Sequence, residues 1–326
     1  MIDSKLTIVL PVYNDWPSFL ALTKDLNLAA QTSGLRLAIV VADDGSTEPA
    51  PSDLHVLGPL SNIDSVLHVR LALNLGHQRA IAVGLCDALN EPDARQFIIM
   101  DSDGEDRPQD IQLLLASART HPESIAVAQR RRRSEPLSFR MFYKAYKAAF
   151  LLLTGKEISF GNFCLLSRDH AMRLAMVSDL WNNLPAAMMR SRLPINPVPI
   201  DRGRRYFGHS KMGFVQLSLH GMSAYSVYTD AILVRLLIVT FLLGFVGMFS
   251  AVTVSVLRLF TAHATPGWAT TVVFGIAIIV SQAMFSTLMT ALLLLNNRSQ
   301  RLLIPAMESK NYVQSRTYFP ILSDRT

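Results

Sequence analysis

From Leu6 to Gln129 short apolar runs alternate with segments of helical spacing. Leu6–Leu10, Leu37–Val41, Val66–Leu71, Gln96–Met100 and Ser124–Gln129 are β-rich runs, the first stopped by Pro11. Between them lie Trp16–Ala30, His77–Leu89 and Pro108–Thr120. In the first of these, Phe19, Leu20, Leu22, Leu26 and Leu28 fall at helical spacing. Runs that are apolar throughout suit strands covered on both faces. The alternation predicts an α/β fold: an open, mostly parallel sheet with helices on both sides.

The pattern then changes. Leu236–Leu257 and Ala264–Asn297 contain no charged residue. Each exceeds the roughly 20 residues that cross a hydrocarbon core, so the pair predicts a C-terminal two-helix transmembrane hairpin. Arg202, Arg204, Arg205, Lys211 and Arg235 precede it, and Arg298, Arg301 and Lys310 follow it. The connector carries one Arg and one His, so the positive-inside rule puts both termini and the α/β part in the cytoplasm. The expected division is an α/β domain over 1–212, an amphipathic juxtamembrane helix over 213–230, spans over 231–258 and 268–296, and a cytoplasmic tail over 297–326. Met141–Leu153 is a second amphipathic segment, suited to the membrane interface or to core packing alike.

Composition agrees. Half of the 326 residues are hydrophobic and 17% are charged, too apolar for a disordered chain. Two cysteines, Cys86 and Cys164, exclude a disulfide scaffold and a Cys-rich zinc site. The formal charge of +6 points to an anionic partner. No ionisable residue lies deep in either span, which argues against an ion-coupled transporter.

The polar residues follow the carboxyl ends of the predicted strands, the edge where such sheets bind ligands. Asp15, Asp43, Asp44, Asp101 and Asp103 all fall there. One acidic turn alone would be a helix cap; several converging on one edge indicate a site. Asp101 and Asp103 end an apolar strand two residues apart and can face one place, which suits a hard divalent cation, Mg2+ or Mn2+. No G-x-G-x-x-G and no Walker loop is present, which disfavours a dehydrogenase or a P-loop ATPase. Arg130–Arg133, Arg140, Lys144 and Lys147 form a basic stretch, read either as a solvated or lipid-facing surface or as phosphate-binding arginines.

The motifs LPVYND (Leu10–Asp15), ADDGST (Ala42–Thr47), NLGHQRAIAVGL (Asn74–Leu85) and MDSDGEDRP (Met100–Pro108) resemble those of family-2 glycosyltransferases with a GT-A, Rossmann-like fold. GNFCLLSR (Gly161–Arg168), RRYFGHSKMG (Arg204–Gly213) and the two spans are similar to the dolichyl-phosphate mannosyltransferase and bacterial polyprenyl-phosphate glycosyltransferase branch. The resemblance implies a nucleotide-sugar donor, a polyprenyl-phosphate acceptor and inverting transfer at a membrane. It implies that Pro11, Tyr13, Asp15, Ala42 and Asp44 line the nucleoside pocket. Asp101, Ser102 and Asp103 would hold the diphosphate, with Asp101, Asp103 and Glu105 on the metal. Arg130 and Arg140 would act at phosphate, and Arg205 and Lys211 would close over the donor. The sequence departs from the pattern at Asn162, where relatives carry an Asp sometimes proposed as a base, at Ser159 and at Asp15.

Competing readings are a polysaccharide synthase, disfavoured because no Q-x-x-R-W motif occurs, and a silent membrane scaffold, disfavoured by the intact Asp101, Asp103, Arg205 and Lys211. A nucleic-acid partner would need a larger basic surface with stacking aromatics. Two thin spans per chain leave room for a homo-oligomer.

Overall fold

The computed structural model describes residues 5–130, 137–157, 159–208, 222–260, 267–298 and 302–321. The chain forms two compact units, residues 1–144, 158–227 and 302–326 in one and 145–157 and 228–301 in the other.

The first unit is built on an eight-stranded sheet. Its strands are β1 (Leu6–Val12), β2 (Leu37–Asp43), β3 (Ile63–Leu71), β4 (Gln96–Ile99), β5 (Ile125–Arg130), β6 (Cys164–Ser167), β7 (Ile195–Ile200) and β8 (Val313–Tyr318), in the spatial order β7-β5-β6-β4-β1-β2-β3-β8. The pairs β1–β2, β1–β4, β2–β3 and β5–β7 are parallel, whereas β6 and β8 pair antiparallel with their neighbours. The predicted mostly parallel α/β sheet is therefore present. Helices α1 (Trp16–Ser33), α2 (His77–Leu89), α3 (Ile111–Thr120), α4 (Leu137–Thr154), α5 (Arg168–Ala175) and α6 (Leu184–Arg190) connect the strands.

β1 and β2 are buried at every position because both sheet faces are covered. Successive strand side chains alternate sides, so Ile8 and Leu10 join Phe19, Leu22 and Leu26 of α1 in one core. Val9 joins Val40, Phe97 and the α2 residues Ala80 and Val83 in the other. Each fully buried Leu or Phe contributes about 1.5–3 kcal/mol. At Gly84 of α2 a Cβ would stand 2.8 Å from Val9 Cγ1 and 3.0 Å from Ala42 Cβ, so the missing side chain lets α2 lie close on β1 and β2.

Three strands escaped the periodicity reading. β6 is four residues long, and β7 carries Pro197 and Pro199, tolerable because it is an edge strand. β8 lies in the stretch expected to be a tail. Its antiparallel pairing with β3 makes that stretch the opposite edge of the sheet. Arg316 of β8 grips Asp87 of α2 through its Nε and Nη2, the shortest contact 2.9 Å.

The second unit contains the end of α4 and two long apolar helices, α7 (Thr229–Phe260) and α8 (Trp268–Arg298). At ~1.5 Å per residue either exceeds the roughly 30 Å of a hydrocarbon core. They pack on each other through Gly247, which sits against Ile276 and Val280, and through a 2.7 Å hydroxyl contact between Thr240 and Thr287. Large apolar side chains, among them Phe241 at 76% exposure, face outward, as they do not in the core helix of a soluble protein. Arg235 of α7 donates to the carbonyls of Leu151 (3.0 Å) and Leu152 at the end of α4. The expected juxtamembrane helix lies largely outside the described residues; 222–226 of it is helical.

Candidate active site

Strand order reverses direction at β1: the chain builds outward through β2 and β3 on one side and through β4 on the other. A crevice at the carboxyl ends of the strands beside such a switch is the binding edge of an open α/β sheet. The ends of β1, β2 and β4 and the start of α2 meet there.

The β1–β2 side is held by Asn14, whose backbone takes a left-handed φ of 49°. Its Oδ1 accepts the N–H groups of Thr47 and Glu48, both at 2.9 Å, and its own N–H donates to Ser46 Oγ at 3.0 Å. Asp43 accepts the Ser46 N–H at 2.8 Å and contacts His68 Nε2 at 3.1 Å. Asp44 accepts the N–H groups of Leu75 (2.7 Å) and Gly76 (2.9 Å), which ties the loop before α2 to the end of β2. Burial pushes the Asp44 carboxyl up, and these two bonds reverse only part of that. Ala42 is fully buried against α2, and the Pro11 carbonyl accepts from Ser102 Oγ at 3.0 Å. Tyr13 is 43% exposed and Asp15 half-buried at the head of α1. Of the residues expected to line a nucleoside pocket, Tyr13 and Asp15 thus reach solvent, whereas Ala42 and Asp44 are buried.

The β4 side is acidic. The Asp101 N–H donates to Asp106 Oδ2 at 3.0 Å. Burial, and then the charge of Asp101, push the Asp106 carboxyl up to about 7. Asp103 is likewise raised, first by burial and then by Asp101, against the pull of its pair with Arg205 and the Glu105 N–H. Arg130, at the end of β5, lies 3.6 Å from both Glu105 and Asp106.

A strap over 202–206 lies on this loop. Arg202 forks onto Glu105 at 2.6–3.0 Å, Arg205 pairs with Asp103, and the Tyr206 N–H donates to the Asp103 carbonyl at 2.9 Å. Gly104 takes a φ of 91°, and a Cβ there would lie 2.6 Å from the Tyr206 ring, so glycine is needed for both the turn and the contact.

Among the described residues no three His, Cys, Asp or Glu side chains are arranged to hold a metal ion. Glu105, expected as a ligand, carries the Arg202 fork in this structure. The donor set still fits a divalent cation. Mg2+-type ions take one or two carboxylates plus substrate phosphates rather than an all-protein cage. Burial and, after it, the repulsion from Asp101 raise Asp103 and Asp106, and a bound cation would offset both.

On the third side stands His77, the first residue of α2. Its Nε2 is 3.2 Å from Asp101 Oδ1 and 3.0 Å from Asn162 Nδ2. Burial works to lower its pKa, but the charge and hydrogen bond of Asp101, with the charges of Asp44 and Asp103, outweigh this and raise it. Gln78 accepts the buried Leu184 N–H at 2.7 Å, so its amide NH2 faces Asn162 Oδ1 at 3.1 Å.

The structure therefore brings Asp101, Ser102, Asp103, Glu105, Arg130 and Arg205 to one edge. Lys211 and the side chain of Arg140, within α4, lie outside the described residues. Sequence reasoning missed Asn14, Gln78, Asp106 and Arg202 as site-builders. The first three sit inside the quoted motifs, and Arg202 belongs to the basic cluster before the spans; their partners are too distant in sequence to be read locally.

Comparison with known proteins completes the picture. The family profile described as Glycosyl transferase family 2 matches residues 7–177. Undecaprenyl-phosphate 4-deoxy-4-formamido-L-arabinose transferase of Proteus mirabilis (strain HI4320) is 24% identical over 262 residues, 78% of this chain and 77% of that one. Among solved structures, mannosyl-3-phosphoglycerate synthase from Rubrobacter xylanophilus superposes with a TM-score of 0.51 at 15% identity, covering 69% of this chain and 72% of that one. Glucosyl-3-phosphoglycerate synthase from Mycobacterium tuberculosis, solved with Mn2+, UDP-glucose and phosphoglyceric acid, gives a TM-score of 0.48 at 13% identity, over 70% of this chain and 80% of that one.

Proposed function

The chain belongs to glycosyl transferase family 2, and from that premise we propose that it moves a sugar, with inversion, from a UDP- or GDP-linked donor onto a polyprenyl phosphate at a membrane. One observation carries the reading: Asp101 and Asp103 stand with Arg130 and Arg205 at the sheet's switch point, in a chain with two helices long enough to cross a bilayer. The undecaprenyl-phosphate acceptor in the relative's name supports the acceptor class.

Donor and acceptor are both anions, so charge must be offset before they meet. Arg130 and Arg205 are suited to phosphate oxygens by their planar fork. Asp101 and Asp103 would hold a divalent cation, which when bound supplies Lewis-acid neutralisation of the departing nucleoside diphosphate. The acceptor is a phosphate monoester with a second pKa of about 6 by analogy with phosphorylated side chains. It is therefore ionised at neutral pH and attacks the anomeric carbon in line. No base has to take a proton from it, in keeping with Asn162 where a carboxylate is common in relatives. Positioning and charge compensation then supply most of the rate.

The hairpin reading draws support from β8. Residues after α8 pair with β3 of the same sheet that holds the N-terminal strands, so the segments before and after the two helices belong to one unit, which supports a hairpin with both ends on one side of a membrane. The flanking basic residues support a cytoplasmic side for both ends by the positive-inside rule.

The test is transfer by the purified full chain in lipid nanodiscs, with a panel of UDP- and GDP-sugars, undecaprenyl phosphate, and Mn2+ or EDTA. The expected product is an undecaprenyl-phosphate sugar formed only with metal. Transfer to a sugar hydroxyl but to no lipid phosphate would overturn the acceptor assignment.

A further inference from the structure

The C-terminal segment does more than close the sheet edge. Beyond β8, Phe319 is 7% exposed and lies flat on the imidazole of His68 from β3, ring centres 5.1 Å apart and planes within 14°. Trp16 stands edge-on to both rings, 5.5 Å from His68 and 6.4 Å from Phe319. His68 Nε2 meets Asp43 Oδ2 at 3.1 Å, and Asp43 Oδ1 accepts the Ser46 N–H at 2.8 Å. Ser46 Oγ in turn accepts the Asn14 N–H at 3.0 Å, and Trp16 Nε1–H donates to the Glu48 carbonyl at 3.3 Å. The column therefore runs from the chain's last described strand to the turn that joins the ends of β1 and β2.

Each layer constrains the next. A buried polar pair is costly unless its geometry is kept. The stack on Phe319 and the edge of Trp16 fix the plane of the His68 ring, and in that plane Nε2 meets Asp43. Two bonds anchor Phe319 itself: its N–H donates to the Val66 carbonyl at 2.9 Å, and the next carbonyl, of Pro320, accepts the Leu54 N–H at 3.0 Å.

We propose that Phe319 and His68 are positioning residues for the donor's nucleoside, holding the Asp43–Thr47 turn in its binding shape from beneath. The proposal rests on the reading that the nucleoside lies at the β1–β2 end of the site.

The experiment measures binding of UDP, GDP and inorganic pyrophosphate, each with Mn2+, by calorimetry on the full chain in nanodiscs. Phe319→Ala, Phe319→Leu and Phe319→Tyr are compared with the parent. Loss of one aromatic stack predicts about tenfold weaker binding of whichever nucleoside diphosphate the parent takes, in both Ala and Leu variants. Pyrophosphate, bound at the Asp101–Asp103 end, is expected to bind them unchanged, and Phe319→Tyr to restore nucleotide affinity. Parent-like nucleotide binding by Phe319→Leu would overturn the positioning role and leave the donor reading standing. Equal loss of pyrophosphate would overturn it by showing general damage. A parent that takes neither UDP nor GDP would remove the donor reading and this proposal with it.

Discussion

His77 Nε2 stands 3.2 Å from Asp101 Oδ1 and 3.0 Å from Asn162 Nδ2. The imidazole is thus shared between a strand-end carboxylate and the carboxamide found where relatives often carry an acid. Gln78, oriented by the Leu184 N–H, holds that carboxamide in place.

Asn162→Asp tests whether a base is missing. The acid keeps the bond from Gln78 but adds negative charge beside Asp101. An already ionised acceptor gains nothing from it. Transfer by Asn162→Asp is expected to stay level or fall; a tenfold or greater rise in kcat, on the order of what general-base catalysis begins to supply, would show that the parent lacks a base it needs.

Asp103→Ala removes one of the carboxylates assigned to the cation and breaks its pair with Arg205. The loss of kcat/KM is expected to be on the order of 100-fold or more, with EDTA reproducing it in the parent. Arg205→Ala is expected to raise the KM for donor. Full activity in either variant removes its assigned role.

Asp43 gives a prediction for acid stability. Burial pushes its carboxyl up, but the hydrogen bonds from His68 and Ser46 together push it further down, so its folded pKa lies below the ordinary value. A lowered carboxyl contributes stability that is present above the unfolded value of about 4 and is lost as pH falls through the folded one. Thermal melts of the parent and Asp43→Asn are expected to differ at neutral pH and to converge in acid. A constant gap down to about pH 2.5 would contradict the assignment.

Gly84→Ala probes the seat of α2. The added Cβ would sit 2.8 Å from Val9 Cγ1, deep in the core. Overpacking of this kind costs about 1–3 kcal/mol, seen as a lower Tm with the metal and donor requirements unchanged.

Much of this protein was legible in the order of its residues. Burial on both faces makes a strand such as β2 apolar at nearly every position, and α1 shows its 3.6-residue period, because these are local consequences of backbone geometry. The two uncharged stretches likewise announce helices for an apolar medium, since no single-chain core needs so many apolar residues side by side. Asp101 and Asp103 could be placed at one edge because strand ends and side-chain alternation are local as well.

Glu105 could not be read this way. Nothing in MDSDGEDRP announces that Arg202, far along the chain, forks onto its carboxylate. The same holds for β8, for the Asn14 staple and for Phe319 on His68. Sequence alone determined the first five strands, the helices between them, the two long apolar helices and where the acidic edge lies, because those depend on near neighbours. Which carboxylate is held by an arginine, and which ring stacks on His68, only the tertiary structure decided. Hydrogen bonds and stacks act over a few ångströms in space, whatever the separation along the chain.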